Sequence, residues 1–440
     1  MKVLGVVAAI AAALVQTAYG ADGSGGLRQL SGRDGCVAPR AVLGCASAVG
    51  ASNLSALAVS PDGANVYAAG GVGSTSALVS LTRTPAGGLR RLAGKAGCIH
   101  AAAASKQCTK GRALETPSGL TVSPDGRNVY VAAANSWSVD VFSRRAGGRL
   151  VPLAGKDFCT SGLDTGGRCV AGRGLGKAAG VAVSPDGKNV YVAGGGLASF
   201  SRKPSGALVQ LPGKAGCATE KGGACMKAHA LLSPQSVALT PDGRHVIVAG
   251  GGGAHGTLAI FLREPATGAL TQLVGDGSCF TSLAADEPEC TVVPALQQAA
   301  GVTVGPGGTS VYVASLVSSG ALELLRDPLT GLLSKPTCVT ENGSGGRCRK
   351  GSALVWARGI VAGSDAVYTA ASHPRRGGVA TFSTVLGPLG CVGPAGCARG
   401  RLLGAESAVV LTPDGRNVIV AGTRGIAVFA APVKHASHTR

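Results

Sequence analysis

Short apolar runs rich in valine, alanine and leucine alternate along this chain with one recurring polar break. Leu57-Ala-Val-Ser-Pro-Asp-Gly-Ala-Asn-Val-Tyr67 returns nearly unchanged at 120–130, 181–191 and 237–247. A looser copy stands at 302–312, a shortened one at 360–368, and another at 409–419, which makes seven. In each full copy two apolar runs meet through Pro-Asp-Gly. Proline presets φ, aspartate bonds the backbone ahead of it, and glycine accepts positive φ. β-branched residues alternating with small ones mark the flanking runs as strands.

A third run follows, as in 139–143, 258–261 and 426–429. A fourth comes after a glycine turn, as in 88–92 and 268–273. Four short strands per repeat predict an all-β fold, a seven-bladed β-propeller of four-stranded antiparallel blades. The segment 26–30 matches a fourth strand without its first three, while the last repeat has three strands and lacks the fourth. The N-terminal strand is therefore expected to complete the last blade and close the ring, which removes exposed edges.

Cysteine follows the same period. The fourteen fall as Cys36 with Cys45, Cys98 with Cys108, Cys159 with Cys169, Cys217 with Cys225, Cys279 with Cys290, Cys338 with Cys348, and Cys391 with Cys397. Pair members stand 6 to 11 residues apart and pairs recur every 53 to 62. An even count behind an export signal implies disulfides, one stapled loop per blade. No pair offers the Cys-x-x-Cys or accompanying histidine of a metal site, so neither metal nor other cofactor is expected. The export signal is Lys2 followed by an apolar run from Val3 to Val15 and small residues up to Gly20. A run of that length is too short to span a bilayer comfortably, which makes residues 1–20 a signal peptide. The propeller is then expected over 21–434, with a polar tail over 435–440. The protein is expected to be a monomer, outside the cell or in the periplasm, without a membrane span.

The repeated Ser-Pro-Asp-Gly-Lys/Arg-Asn-Val-Tyr-Val-Ala unit resembles the YVTN-type repeat of surface-layer and lactonase-like seven-bladed propellers. That resemblance implies the fold, and through the lactonase-like members a hydrolase or cycloisomerase acting in the central channel. Those enzymes often carry Gly-Pro-Arg-His ahead of a first strand. Here the matching positions read Pro117-Ser-Gly119, Ala179-Gly180, Gln235-Ser236, Ala300-Gly301, Arg358-Gly359 and Glu406-Ser407. No catalytic residue carries over. Arg358, His373 and Glu406 are the nearest substitute for a base and a cationic stabiliser of developing charge.

Charge supplies the competing picture. The formal net charge is +19, and cations cluster near the second cysteine of most pairs: Lys110, Arg112, Arg173, Lys227, Arg349, Lys350, Arg399 and Arg401. The loop between Cys279 and Cys290 departs from this with Asp286, Glu287 and Glu289. The stapled loops are expected on one face with the glycine-rich links at 69–72, 194–196 and 250–253, and the Pro-Asp-Gly turns on the other. A basic loop face would attract an anionic polysaccharide or cell-wall polymer, or dock a protein partner. Nucleic acid is poorly served, since aromatic residues make up only 3% of the chain. The aspartate of each Pro-Asp-Gly is expected to stabilise its own turn. The triplet Asn342-Gly-Ser344 fits a glycosylation acceptor in a eukaryotic host. The leading expectation is a secreted binding or surface-associated propeller, with the lactonase-like enzyme as the alternative.

Overall fold

The computed structural model describes residues 26–101, 107–285, 287–393, 397–401 and 404–432. The proposed signal segment, Asp286 and the polar tail lie outside the described residues. Seven mainly antiparallel sheets form the ring, at 54–110, 117–171, 180–227, 234–292, 299–350, 357–398 and 406–430. We number these blades 1 to 7. Blade 7 takes its outer strands from the N-terminal segment: Arg28 pairs with Ala430 and Cys36 with Ala427. The ring closes as the repeat pattern requires, leaving neither end of the sheet series unpaired.

In blade 1 the strands run outward as Leu54–Val59, Asn65–Gly70 and Ala77–Arg83. The fourth strand comes in two pieces, Leu89–Arg91 and Cys98–His100, split by a 3-10 turn at Gly94–Gly97. Beyond it lies a fifth strand, Thr109–Lys110, parallel to the fourth. Two-residue parallel strands recur outermost in blades 2, 3, 4, 5 and 7, and a single bridge between Val392 and Ala398 takes the place in blade 6. The blades therefore hold one strand more than four runs per repeat predict. The extra strand is too short to carry a sequence signal.

The core lies in the seams between consecutive blades. Tyr67 and Leu78 of blade 1 pack with Val129, Val131 and Phe142 of blade 2. Tyr130 and Val141 of blade 2 pack with Val190 and Phe200 of blade 3. Both faces of the middle strands are thus covered, and those strands read as unbroken apolar runs rather than strict alternation. The second strands of blades 1 and 2 are buried at every residue.

Candidate binding surfaces

All seven cysteine pairs are bridged as their spacing predicts: Cys36 to Cys45, Cys98 to Cys108, Cys159 to Cys169, Cys217 to Cys225, Cys279 to Cys290, Cys338 to Cys348, and Cys391 to Cys397. No free cysteine remains among the described residues. One register governs the bridges. Cys98 bridges to Cys108 while the next residues, Ile99 and Thr109, pair across the parallel ladder. Cys159 and Cys169 precede the pair Thr160 and Val170 in the same way. Cys45, Cys225 and Cys397 likewise stand immediately before Ala46, Met226 and Ala398, which pair with Val37, Ala218 and Val392.

The bridges staple one loop per blade, as the spacing predicts, and they have a mechanical role as well. Cys45, Cys225 and Cys397 do more than close a binding loop: with their counterparts they bolt the outermost strand position to the fourth strand. A two-residue strand cannot hold an edge by its own hydrogen bonds, and the covalent bridge supplies what it lacks.

This geometry moves the predicted basic residues. Lys110, Lys227 and Lys350 occupy the second position of the outermost strand in blades 1, 3 and 5, and Arg399 follows the bridge residue Ala398 in blade 6. All four are exposed, with no ion-pair partner among the described residues. They stand on the circumference of the ring rather than around the channel mouth. Arg349, also on the outermost strand, gives Nη1 to the carbonyl of Val385 in blade 6.

The other predicted cations serve as clamps between blades. The residue four past the second cysteine reaches the stapled loop of the next blade. Arg173 donates to the carbonyls of Ala224 (3.0 Å) and Gly213 (2.9 Å) in blade 3. Arg401 donates to those of Gly44, Leu30 and Gly32 in blade 7. Arg112 lies over the Phe158 ring at 5.5 Å. At the equivalent place His229 Nδ1 stands 3.2 Å from Glu287 of the acidic loop. A glutamine then locks the joint: Gln210 takes the Arg173 backbone N–H and returns its own N–H to the Arg173 carbonyl, and Gln29 does the same with Arg401. Arg112, Arg173 and Arg401, which the loop-face expectation named as binding groups, each contact the next blade or its stapled loop.

A second set of clamps occupies the Pro-Asp-Gly face. Asp62 bonds the Ser60 hydroxyl and the Ala64 N–H within its own turn, as the turn chemistry requires. It also meets Arg144 from blade 2, whose guanidinium reaches Asp62 (2.6 Å), Asn65 (2.7 Å) and the Tyr67 hydroxyl (3.1 Å). Arg202 treats Asp125, Asn128 and Tyr130 alike, and Arg263 treats Asp186 and Asn189 alike. Arg326 meets Asp242 and His245, and Arg83 meets Asp414 and Asn417. Tyr67 donates to the carbonyl of Gly148, a positive-φ turn residue where a Cβ would overlap the Asn65 amide. The signal was present in the sequence. A Phe-x-Arg closes the third strand of blades 2, 3 and 4, and the expected runs 139–143 and 258–261 stopped one and two residues short of the arginine.

These partners set the titration of the turn. Burial pushes the Asp242 carboxyl up, but the Thr240 hydroxyl, the Arg244 backbone N–H and the Arg326 guanidinium outweigh it and hold the group at about 2. Burial raises the Tyr67, Tyr130 and Tyr191 hydroxyls to about 12, against the pull of their arginines.

The three residues considered for catalysis are not assembled into one site. The central channel, a cavity of about 280 Å³, is lined by the innermost strands. Arg358 faces it and keeps surface open to the channel, although the surrounding protein depresses its pKa. In blade 7 the lining residues are Ser407, Ala408 and Val409. Glu406, one position earlier on the strand, is 2% exposed, accepts the Gly404 N–H, and leaves Oε2 without a hydrogen bond among the described residues. Burial lifts its carboxyl to about 7, against the backbone N–H groups of Gly404 and Glu406 and the charge of Arg424. His373 sits in the link between the second and third strands of blade 6, its ring 4.7 Å from that of Trp356, and accepts the N–H groups of Arg375 and Arg376. Alternation along a strand sends neighbours to opposite faces, so Arg358 in the channel and Glu406 in the seam do not share a solvent space.

The fold and its sealed outer edges define a disulfide-stapled seven-bladed β-propeller. Its shape recurs in hydrazine synthase of Kuenenia stuttgartiensis (TM-score 0.55, 14% identity), covering 90% of this chain and all of that one. It recurs as well in the periplasmic gluconolactonase of Pseudomonas aeruginosa (TM-score 0.51, 15% identity), covering 86% and 88%. No family model and no curated protein matches the chain in sequence. Likeness at this identity extends to the fold alone, and such folds host unrelated activities.

Proposed function

We propose that this protein is an exported binding propeller whose basic rim engages an anionic polymer, such as an acidic polysaccharide or cell-wall polymer. The observation that carries the reading is repetition. The second residue of the outermost strand position is, in four of seven blades, an exposed cation with no ion-pair partner among the described residues: Lys110, Lys227, Lys350 and Arg399. One exposed charge contact contributes roughly 0–1 kcal/mol. A polymer presents many charges, and contacts made after the first are intramolecular, so four spaced cations on a rigid ring gain from avidity. The +19 formal charge draws the polymer in before contact. A lactone-opening role would need a general base within reach of Arg358. Among the described channel-lining residues Arg358 is the only ionisable one.

The test compares two variants of equal charge on immobilised heparin and hyaluronate across a salt series. One replaces Lys110, Lys227, Lys350 and Arg399 with glutamine. The other replaces Arg127, Lys188, Arg244 and Arg416, four exposed cations of the Pro-Asp-Gly turns. The rim variant is expected to elute at lower salt with a flatter dependence on salt, and the turn variant to stay near the parent. Equal losses would reduce the effect to net charge and overturn the reading.

A further inference from the structure

Grooves open at three seams where a stapled loop meets its neighbour. Those between blades 1 and 2 and between blades 3 and 4 measure about 300 and 320 Å³, and each has a charged or titratable residue at the clamp position, Arg112 or His229. At the seam between blades 4 and 5 that position is Pro294, which cannot reach across. The groove there measures about 350 Å³ and its apolar wall is Val292, Val293, Pro294, Val317 and Leu322. Blade 5 also departs from the common plan. Its fourth strand runs unbroken over Leu333–Thr340, so Pro336 and Thr337 form a wall where blades 1, 2 and 3 have a 3-10 turn.

The polar groups of this groove include uncommitted donors. The Arg347 guanidinium and the Gln297 side chain make no hydrogen bond to a described residue, and Arg347 has no ion-pair partner among them. Asn342 uses its oxygen to accept the Ser344 N–H, which turns the amide nitrogen to other use. No carboxylate is among the described residues that line the groove. An apolar wall beside an unpaired guanidinium and amide donors is complementary to an apolar body ending in a carboxylate.

We propose that the groove between blades 4 and 5 is a binding site for a small amphiphilic carboxylate, with Pro294 and Val317 against its apolar body and Arg347 at its anionic end. This groove adjoins the rim strand of blade 5 but does not include Lys350, and its test is independent of polymer binding. Ligand-observed NMR titrations of the oxidised protein would use octanoate and its neutral amide as probes. Octanoate is expected to bind more tightly than the amide. Arg347→Gln should weaken octanoate about tenfold, the worth of one charge-assisted hydrogen bond, and leave the amide nearly unchanged. Pro294→Arg places in the groove the side chain that sister seams carry and should abolish binding of both probes. Val317→Glu, at a half-exposed position, should do the same to octanoate without disturbing the core. Failure of octanoate to bind the parent, or octanoate binding that survives both Pro294→Arg and Val317→Glu, would overturn the proposal. Equal weakening of acid and amide by Arg347→Gln would overturn its assignment to a carboxylate.

Discussion

At the residue scale, the arginines of this protein separate into those that hold and those that are offered. Arg263 is 3% exposed and pairs with Asp186 and Asn189 across a seam, so removing either partner strands a buried charge. Arg90 meets Asp34 with both side chains about one-third exposed or more, where an ion pair contributes little. Glu406 shows the opposite situation, a carboxyl taken into a seam with one oxygen unpartnered. Its folded pKa of about 7 lies above the ordinary glutamate value of 4.5. The native state therefore binds the proton more tightly than the unfolded chain does. Stability from this group is fully present below pH 4.5 and is lost as pH rises through about 7. Glu406→Gln, which mimics the protonated acid, is expected to match the parent near pH 4. At pH 8 it should be the more stable by about 3 kcal/mol, read as a shift in the denaturant midpoint. A variant less stable at pH 8 would show that the ionised carboxylate has a partner the folded chain needs.

At the scale of elements, the outer edge of each blade is the point of weakness. A third or fourth strand ending a sheet presents unpaired backbone groups to any other chain. The two-residue fifth strand covers that edge, and the disulfide holds it there. Closing a loop of about ten residues removes roughly 2.5–3 kcal/mol of unfolded-state entropy. Replacing Cys98 and Cys108 together with serine is expected to cost about that much or less. Hydrogen exchange should rise at Cys98–His100 and Thr109–Lys110 while the second strand, Asn65–Gly70, keeps its protection. Loss of protection throughout blade 1 would mean that the bridge supports the whole sheet. Cysteine spacing made the pairing legible in the sequence, down to the shortest bridge between Cys391 and Cys397. The parallel strand was not legible, because two residues carry no period and their partner lies a loop away.

At the scale of the whole molecule, the ring is sewn on two faces, and blade 6 is sewn least on one of them. The arginine at the end of the third strand clamps five of the seven seams. Blade 6 ends that strand with Phe382-Ser-Thr384 and blade 7 with Phe429-Ala-Ala431, so both seams of blade 6 lack the arginine. At the seam with blade 5, a Tyr312 hydroxyl bond to the Thr384 carbonyl (2.6 Å) and an Arg349 bond to the Val385 carbonyl (3.1 Å) take its place. Backbone amides of Ala366–Ala371 and Val379–Ser383 are therefore expected to exchange faster than those of Asn189–Ala193 and Leu197–Arg202 in blade 3. Equal protection would show that seam packing alone, without the clamps, sets the order of opening.

The sequence by itself determined the number of blades, the strand order within each, the cysteine pairing and the closure of the last blade by the first strand. Those features are local or periodic: a Pro-Asp-Gly turn, a run of β-branched residues and a short cysteine spacing each act within a few residues. Only the tertiary structure decided what the charges do. Arg144 and Asp62, or Arg173 and Gly213, lie far apart along the chain and meet because consecutive blades stack in one fixed orientation. The same stacking put Lys110, Lys227, Lys350 and Arg399 on the rim, turned Arg358 into the channel and buried Glu406 in a seam. It left a groove where proline replaced the clamp. Long-range packing selects which of many chemically equivalent arginines stay free, and composition carries no record of that choice.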